Sequence, residues 1–218
     1  MSVDGVVTLG GPRVRFECPA GMKNHVERVF EGEYDVGVEF DKPPRILDIG
    51  ANCGSFAIWA AVRWSTEAIT CYEPHPDTFR SLSKNLLQRS NHVKLIEAAV
   101  VGDGYEAATV DLYPGLHNCG ESSLFNLGEQ DMATPFVVRA IRASDLPTAE
   151  IVKIDTEGAE LEILRGYDLR DTVAVMVEWH SADDRRAIDA MLTIERGFEL
   201  IGAHVYSATR GVMKFTRA

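Results

Sequence analysis

The chain reads as an α/β protein with a mostly parallel sheet covered by helices on both faces. Three observations predict this. Apolar runs at 45–49, 68–72, 93–97, 151–154 and 173–178 alternate with helical stretches at 54–64, 76–90, 158–165 and 182–196. The first run ends in a glycine loop, Asp48-Ile49-Gly50-Ala51-Asn52-Cys53-Gly54, and a helix starts at Ser55. The next run, Ala68 to Tyr72, is closed by Glu73. In a βαβ unit a carboxylate at that place commonly meets ribose hydroxyls.

The elements follow in order. Val6 to Leu9 and Val14 to Phe16, separated by Gly10-Gly11-Pro12, predict a hairpin. Residues 22–31 predict a helix with Val26, Val29 and Phe30 on one face. A loop from Glu33 closes at Pro43-Pro44, so residues 1–44 form an extension, expected as a lid, and 45–218 the main domain. Pro76 suits a first helical turn. Between 98 and 150 the pattern is irregular: 108–113 and 136–140 alternate like strands around the polar loop 114–120. Gly166 stops the helix after the fourth run. Ser181 with Asp184 resembles a capping box, and Gly197 ends that helix. Residues 198–201 and 211–216 predict a last strand pair.

The 218 residues are 45% hydrophobic, enough for one full core. The formal net charge is −11, and the only adjacent basic pair, Arg185-Arg186, is offset by Asp183-Asp184. That argues against long nucleic acids, because phosphate contacts need Lys or Arg. The four cysteines, at 18, 53, 71 and 119, show no C-x-x-C spacing, so no zinc site or disulfide framework is suggested. No run has the length of a membrane span and the N-terminus lacks a signal pattern, so a reduced, cytoplasmic protein is expected. The oligomeric state is left open, a homodimer included.

Ligands of such sheets bind beyond the carboxyl ends of the strands. A dinucleotide fingerprint needs G-x-G-x-x-G, but Asn52 stands where the second glycine belongs and Ser55 where the third falls. Asp48 repels phosphate and suits a cation. S-adenosylmethionine carries an ammonium, a sulfonium and a ribose, and no phosphate. Asp48 is expected to attract its positive end through water or by its field, with Gly50, Ala51, Asn52, Gly54 and Ser55 along its methionine part. Glu73 and Pro74 are expected at the ribose, Ala98 beside the adenine, and Asp155 on the adjoining strand tip.

Four segments resemble the FkbM family of S-adenosylmethionine-dependent methyltransferases: Ile46–Ala57, Tyr72-Glu73-Pro74-His75-Pro76, Val152-Lys153-Ile154-Asp155-Thr156-Glu157-Gly158-Ala159-Glu160 and Val177-Glu178-Trp179-His180. The resemblance spans about residues 23–180 in the right order. It implies a Rossmann-like class I methyltransferase fold, with seven strands of which the last is antiparallel. It also implies methylation of hydroxyl groups on polyketide, sugar or related acceptors. Glu121-Ser122-Ser123-Leu124 resembles the family's small-residue loop before the acceptor site.

Methyl transfer from a sulfonium needs alignment and exclusion of water, and a hydroxyl acceptor must also lose a proton. His180, at the end of the fifth strand, titrates near neutrality when unperturbed and is a candidate base. Asp155 and Glu157 are candidates for the same work or for holding the acceptor. His117, Asn118, Glu121, Ser122 and Glu178 are candidate acceptor contacts. Asp155, Glu157, Glu178 and His180 offer ligands to a hard divalent cation, but no tight spacing compels a metal, and none is expected. The expected partner is a small-molecule acceptor. Competing functions are N-methylation of a nucleoside or amine, which often uses Asn/Asp-Pro-Pro-Tyr/Phe after the fourth strand, metal-dependent catechol-type O-methylation, nicotinamide-dependent oxidation and non-catalytic sensing of the cofactor. This chain has Asp155-Thr156-Glu157-Gly158 there, and it lacks two of the dinucleotide glycines.

Overall fold

A computed structural model describes residues 2–8, 13–19, 22–87, 92–115, 122–124 and 134–217. The N-terminal hairpin is β1 (Ser2–Thr8) with β2 (Arg13–Pro19), followed by α1 (Lys23–Phe30). The body then runs β3 (Arg45–Ile49), α2 (Ser55–Trp64), β4 (Ala68–Tyr72), α3 (Pro76–Leu86) and β5 (Val93–Ile96). Next come β6 (Ala99–Val101), β7 (Thr109–Leu112) and β8 (Phe136–Arg142). The chain ends with β9 (Ile151–Ile154), α4 (Glu160–Gly166), β10 (Ala174–Trp179), α5 (Ala182–Ala190), β11 (Glu199–Ser207) and β12 (Arg210–Thr216).

All five apolar runs enter one seven-stranded sheet, ordered β11-β12-β10-β9-β3-β4-β5. The five on the β10 to β5 side pair in parallel, and β12 is antiparallel to both of its neighbours. The expected fold class is the one observed. Chain order leaves β3 and inserts β9 beside it, so the carboxyl ends of β3 and β9 flank the switch point where a crevice opens.

Both sheet faces are covered, which is why the strands are apolar throughout. Ile46, Cys71, Ile151 and Met176 share one core with Phe56 and Trp59 of α2 and Leu82 of α3. Leu47, Ile49, Val152, Ile154, Val175 and Val177 share another with Ile163 and Leu164 of α4 and Ile188 of α5. Alternation along β3 and β9 therefore sends Asp48 and Lys153, which lie opposite each other in register, toward the α2 side.

Local chemistry sets the helix ends. Gly54 takes φ +88° before α2. The His75 ring accepts the Asp77 N–H, with Pro76 in the first turn of α3. Ser181 Oγ accepts the Asp184 N–H at 3.0 Å, the expected cap.

Three elements differ from expectation. The third run stops at Ile96, and residues 99–101 leave for a second sheet, β6-β8-β7. The helix expected over 182–196 changes at Ala190 into a π-turn, Met191–Glu195. The final hairpin is longer: β11 reaches Ser207, past two bulges that its one-sided pairing to β12 accommodates. Among the described residues no helix is long and apolar enough to cross a membrane.

Candidate active site

Beyond the tips of β3, β4 and β9 lies an open cleft. Its described walls include Gly50, Asn52, Glu73, Pro74 and Ala98 on one side and Ser122, Asp155, Thr156 and Glu157 on the other. Ile49, Tyr72, Val100, Leu112 and Leu124 add apolar surface.

The loop after β3 is held from below. The Gly50 and Ala51 N–H groups both donate to the Tyr72 carbonyl, at 3.0 and 2.9 Å. Gly50 has φ +76°, and a Cβ there would stand 1.7 Å from the Asp155 carbonyl oxygen. Only glycine lets these two strand tips approach so closely. Asn52, also in the left-handed region, donates its N–H to one Glu73 carboxylate oxygen at 2.9 Å. The His75 N–H donates to the other at 2.8 Å. The Glu73 side chain is therefore fixed at the cleft with further lone pairs on both oxygens. Burial raises its pKa to about 7, against those two N–H donors.

Asp48 reaches the cleft by no direct contact. It is 0% exposed, lies beneath the cleft and does not line it. Its carboxylate is spent on Lys153, whose Nζ is 3.3 Å away and only 3% exposed as a residue. The same Nζ donates to the Gly50 carbonyl at 2.6 Å and stands 3.5 Å from Asp155. Ala51, Gly54 and Ser55 likewise shape the loop without forming the cleft wall described here.

The wall formed by the turn after β9 is backed by a network of acids and fixed cations. Burial raises the Asp155 carboxyl, but Lys153, His25, His180 and a hydrogen bond with Glu178 together outweigh it and hold the pKa at about 2. Glu157 occupies the left-handed region at φ +58°, a strained place for a side chain this size. The Ser123 hydroxyl clamps it by donating to its carbonyl at 2.7 Å. Arg210 ion-pairs with the Glu157 carboxylate and reaches Glu178 at 2.9 Å. Glu160 accepts the Thr156 N–H at 2.7 Å and the Gly158 N–H at 3.1 Å, which fixes the turn.

His180 does not line the cleft. Nε2 is 3.0 Å from Glu157 and Nδ1 is 3.3 Å from Glu160. Burial disfavours the imidazolium, but these two carboxylates outweigh it and raise the pKa to about 11. An imidazolium donates and cannot accept, so the expected neutral base is here a charged partner of Glu157. Glu178 also sits behind the wall, its carboxyl pushed well up by burial and by neighbouring Asp155. Asp155, Glu178 and His180 do converge with ligand atoms within 4.8 Å of one another. Lys153 stands 3.5 Å from Asp155, and Arg210 stands 2.9 Å from Glu178.

His117, Asn118 and Glu121 lie outside the described residues. Two central side chains escaped sequence reasoning as functional residues, Lys153 and Arg210. A lysine inside the run Ile151-Val152-Lys153-Ile154 is a usable signal, because a buried ammonium requires a partner. Arg210, on a distant hairpin, carries no comparable signal.

The family model of the methyltransferase FkbM domain matches residues 48–200. Methyltransferase 1 of Beauveria bassiana is 29% identical over 181 residues, covering 69% of this chain and 71% of that protein. Hexuronic acid methyltransferase AglP of Haloferax volcanii is 25% identical over 195 residues, covering 86% and 79%. In fold, the chain is similar to yhhF of Escherichia coli, assigned as a methyltransferase, with a TM-score of 0.57, 14% identity and 98% of each chain covered. The glycine loop, the acid closing β4 and the acid-rich turn after β9 all fall inside the matched region, and the chain belongs to the FkbM methyltransferase family.

Proposed function

We propose that this methyltransferase takes its methyl group from S-adenosylmethionine and transfers it to a hydroxyl of a small or medium-sized metabolite. One observation carries the proposal: a single cleft has the oriented, buried carboxylate of Glu73 at one end and the Asp155 and Glu157 carboxylates at the other.

The residues fit the donor. Glu73 keeps lone pairs for two ribose hydroxyls, and the apolar walls beside Pro74, Ala98 and Val100 suit a flat base. No Lys or Arg is among the described lining residues, which suits a phosphate-free nucleoside and disfavours a nicotinamide dinucleotide. The donor supplies an activated methyl on a positive leaving group. The chain supplies alignment, a water-poor cleft and a place for the proton. Glu157, on the wall and held by His180 and Arg210, is the side chain we assign to receive the acceptor's hydroxyl proton. Asp155, pinned by Lys153, is assigned to orient the acceptor, with Ser122 opposite. The tip Asp155-Thr156-Glu157-Gly158 lacks the prolines typical of amine-directed sites, which supports oxygen as the nucleophile.

The relative AglP is named for a hexuronic acid, so sugars head the acceptors to try. Purified protein with methyl-labelled donor and a panel of sugars, macrolides and phenols is expected to label a hydroxyl. Calorimetry is expected to show binding of S-adenosylhomocysteine and none of NAD. The opposite preference would overturn the cofactor assignment.

A further inference from the structure

We propose that Lys153 is a positioning residue that sets the spacing between the cofactor loop and the acceptor-side acids. The role is additional to donor binding, and its cofactor arm rests on the donor assigned above. The ammonium donates to one carbonyl and ion-pairs with two carboxylates, on three separate pieces of chain. These are the Gly50 carbonyl at 2.6 Å, Asp48 at 3.3 Å and Asp155 at 3.5 Å. Gly50 belongs to the glycine loop, Asp48 to the body of β3 and Asp155 to the tip of β9.

Neutralising Asp48 does not account for this arrangement. A buried ion pair is usually no more stable than an apolar pair of similar volume. The distinctive contact is the shortest one, to a backbone carbonyl in the ligand loop. It acts with the Asp155 N–H, which donates to the Ile49 carbonyl at 3.0 Å, and with the close approach of Gly50 to the Asp155 carbonyl. Lys153 thus pulls the two strand tips together from beneath and turns the Asp155 carboxylate toward its own side. The Tyr34 ring, 6.0 Å from Nζ and itself fully buried, closes the space below. Glu73 lies across the loop, so a shift of Gly50 changes the distance between the ribose acid and the acceptor acids.

The test compares wild type, Asp48→Asn, Lys153→Met and the double variant Asp48→Asn/Lys153→Met. Lys153→Met strands a buried carboxylate and is expected to be unstable. The double variant removes both charges and is expected to recover most of the global stability. Amide exchange in residues 49–55 and 155–158 is nevertheless expected to be at least tenfold faster than in wild type, with β10 unchanged. S-adenosylhomocysteine is expected to bind the double variant at least tenfold more weakly. The Asp155 carboxyl, followed by carbon NMR, is expected to rise from about 2 into the ordinary carboxylate range. Asp48→Asn keeps Lys153 on Gly50 and Asp155, so it is expected to keep the loop's exchange protection. Wild-type protection and affinity in the double variant would reduce Lys153 to a counter-ion of Asp48 and overturn the proposal. If the double variant fails to fold, fast loop exchange in Asp48→Asn alone overturns it too, and retained protection supports it. If wild type binds no adenosyl compound, the donor assignment falls while the exchange measurement still decides the role of Lys153.

Discussion

His180 Nε2 stands 3.0 Å from a Glu157 carboxylate oxygen, and its other ring nitrogen faces Glu160. Both ring positions are thereby claimed by acids, and the pKa of about 11 keeps the ring protonated across the assay range. The folded value lies above the unfolded one of roughly 6.5. The stabilisation is therefore complete below about pH 6.5 and is lost as pH rises through 11. His180→Gln is expected to cost about 3 kcal/mol at pH 6, the scale for breaking a buried pair. The gap between its melting curve and the wild-type curve should narrow toward pH 10. A wild-type rate profile with a limb near 6.5 that vanishes in His180→Gln would restore the base role.

Glu73 gives a second pH signature. Under the proposed function, ribose hydroxyls would donate to the ionised carboxylate, so binding is expected to draw its pKa down from about 7 and release a proton. Affinity for S-adenosylhomocysteine is expected to rise between pH 6 and 8 and then level off. Glu73→Gln should flatten that rise and weaken binding roughly ten- to hundredfold, the worth of hydrogen bonds to a charged group. Folding stability follows the opposite trend. The native state holds this proton more tightly than the unfolded chain, so stability declines as pH climbs from about 4.5 through 7. Equal slopes of affinity in wild type and variant would remove Glu73 from the ligand.

Gly50→Ala tests the closeness of the two strand tips. The new Cβ would meet the Asp155 carbonyl oxygen at 1.7 Å, in a backbone region that alanine avoids. The cost is expected to be about 3 kcal/mol or more, which lowers the melting midpoint by about 10 °C for a domain of this size. Binding of S-adenosylhomocysteine should be lost in calorimetry even where the variant remains folded. Wild-type binding would show that the loop tolerates a wider separation.

Asn85 anchors the N-terminal extension to the body. Its amide nitrogen donates to the carbonyls of Glu17 and Cys53 at 2.7 and 2.8 Å, and its oxygen accepts the Glu17 N–H at 2.9 Å. Asn85→Leu keeps the volume and strands backbone groups on β2 and on the glycine loop. A loss of about 2 kcal/mol is expected, with faster amide exchange in 13–19 and little change in 174–179. Uniform protection in both segments would mean that apolar packing alone holds the hairpin.

Several elements were legible because their causes are local. The run Ile46-Leu47-Asp48-Ile49 ends in glycines whatever surrounds it, and Ser181 finds its Asp184 partner within one helical turn. Glu73 was placed at the cleft from its position after β4, and the structure lines the cleft with it. His180 was misread in its protonation, because a single strand does not reveal that Glu157 and Glu160 converge on its ring. The ion pair of Asp48 was not legible for the same reason: its partner, Lys153, is 105 positions away in the chain but opposite it in register.

Hydrophobic period, glycine placement and chain order determined the alternating elements, the parallel sheet and the edge at which the cleft lies, since these depend on neighbours within a few residues. Only the tertiary structure decided which charges are spent on one another. Arg210 reaches back 53 positions to Glu157, and Lys153 crosses from β9 to the loop after β3. The state of a buried acid or imidazole is set by desolvation and by the charges that long-range pairing brings within a few ångströms, and neither quantity is written in any local stretch of sequence.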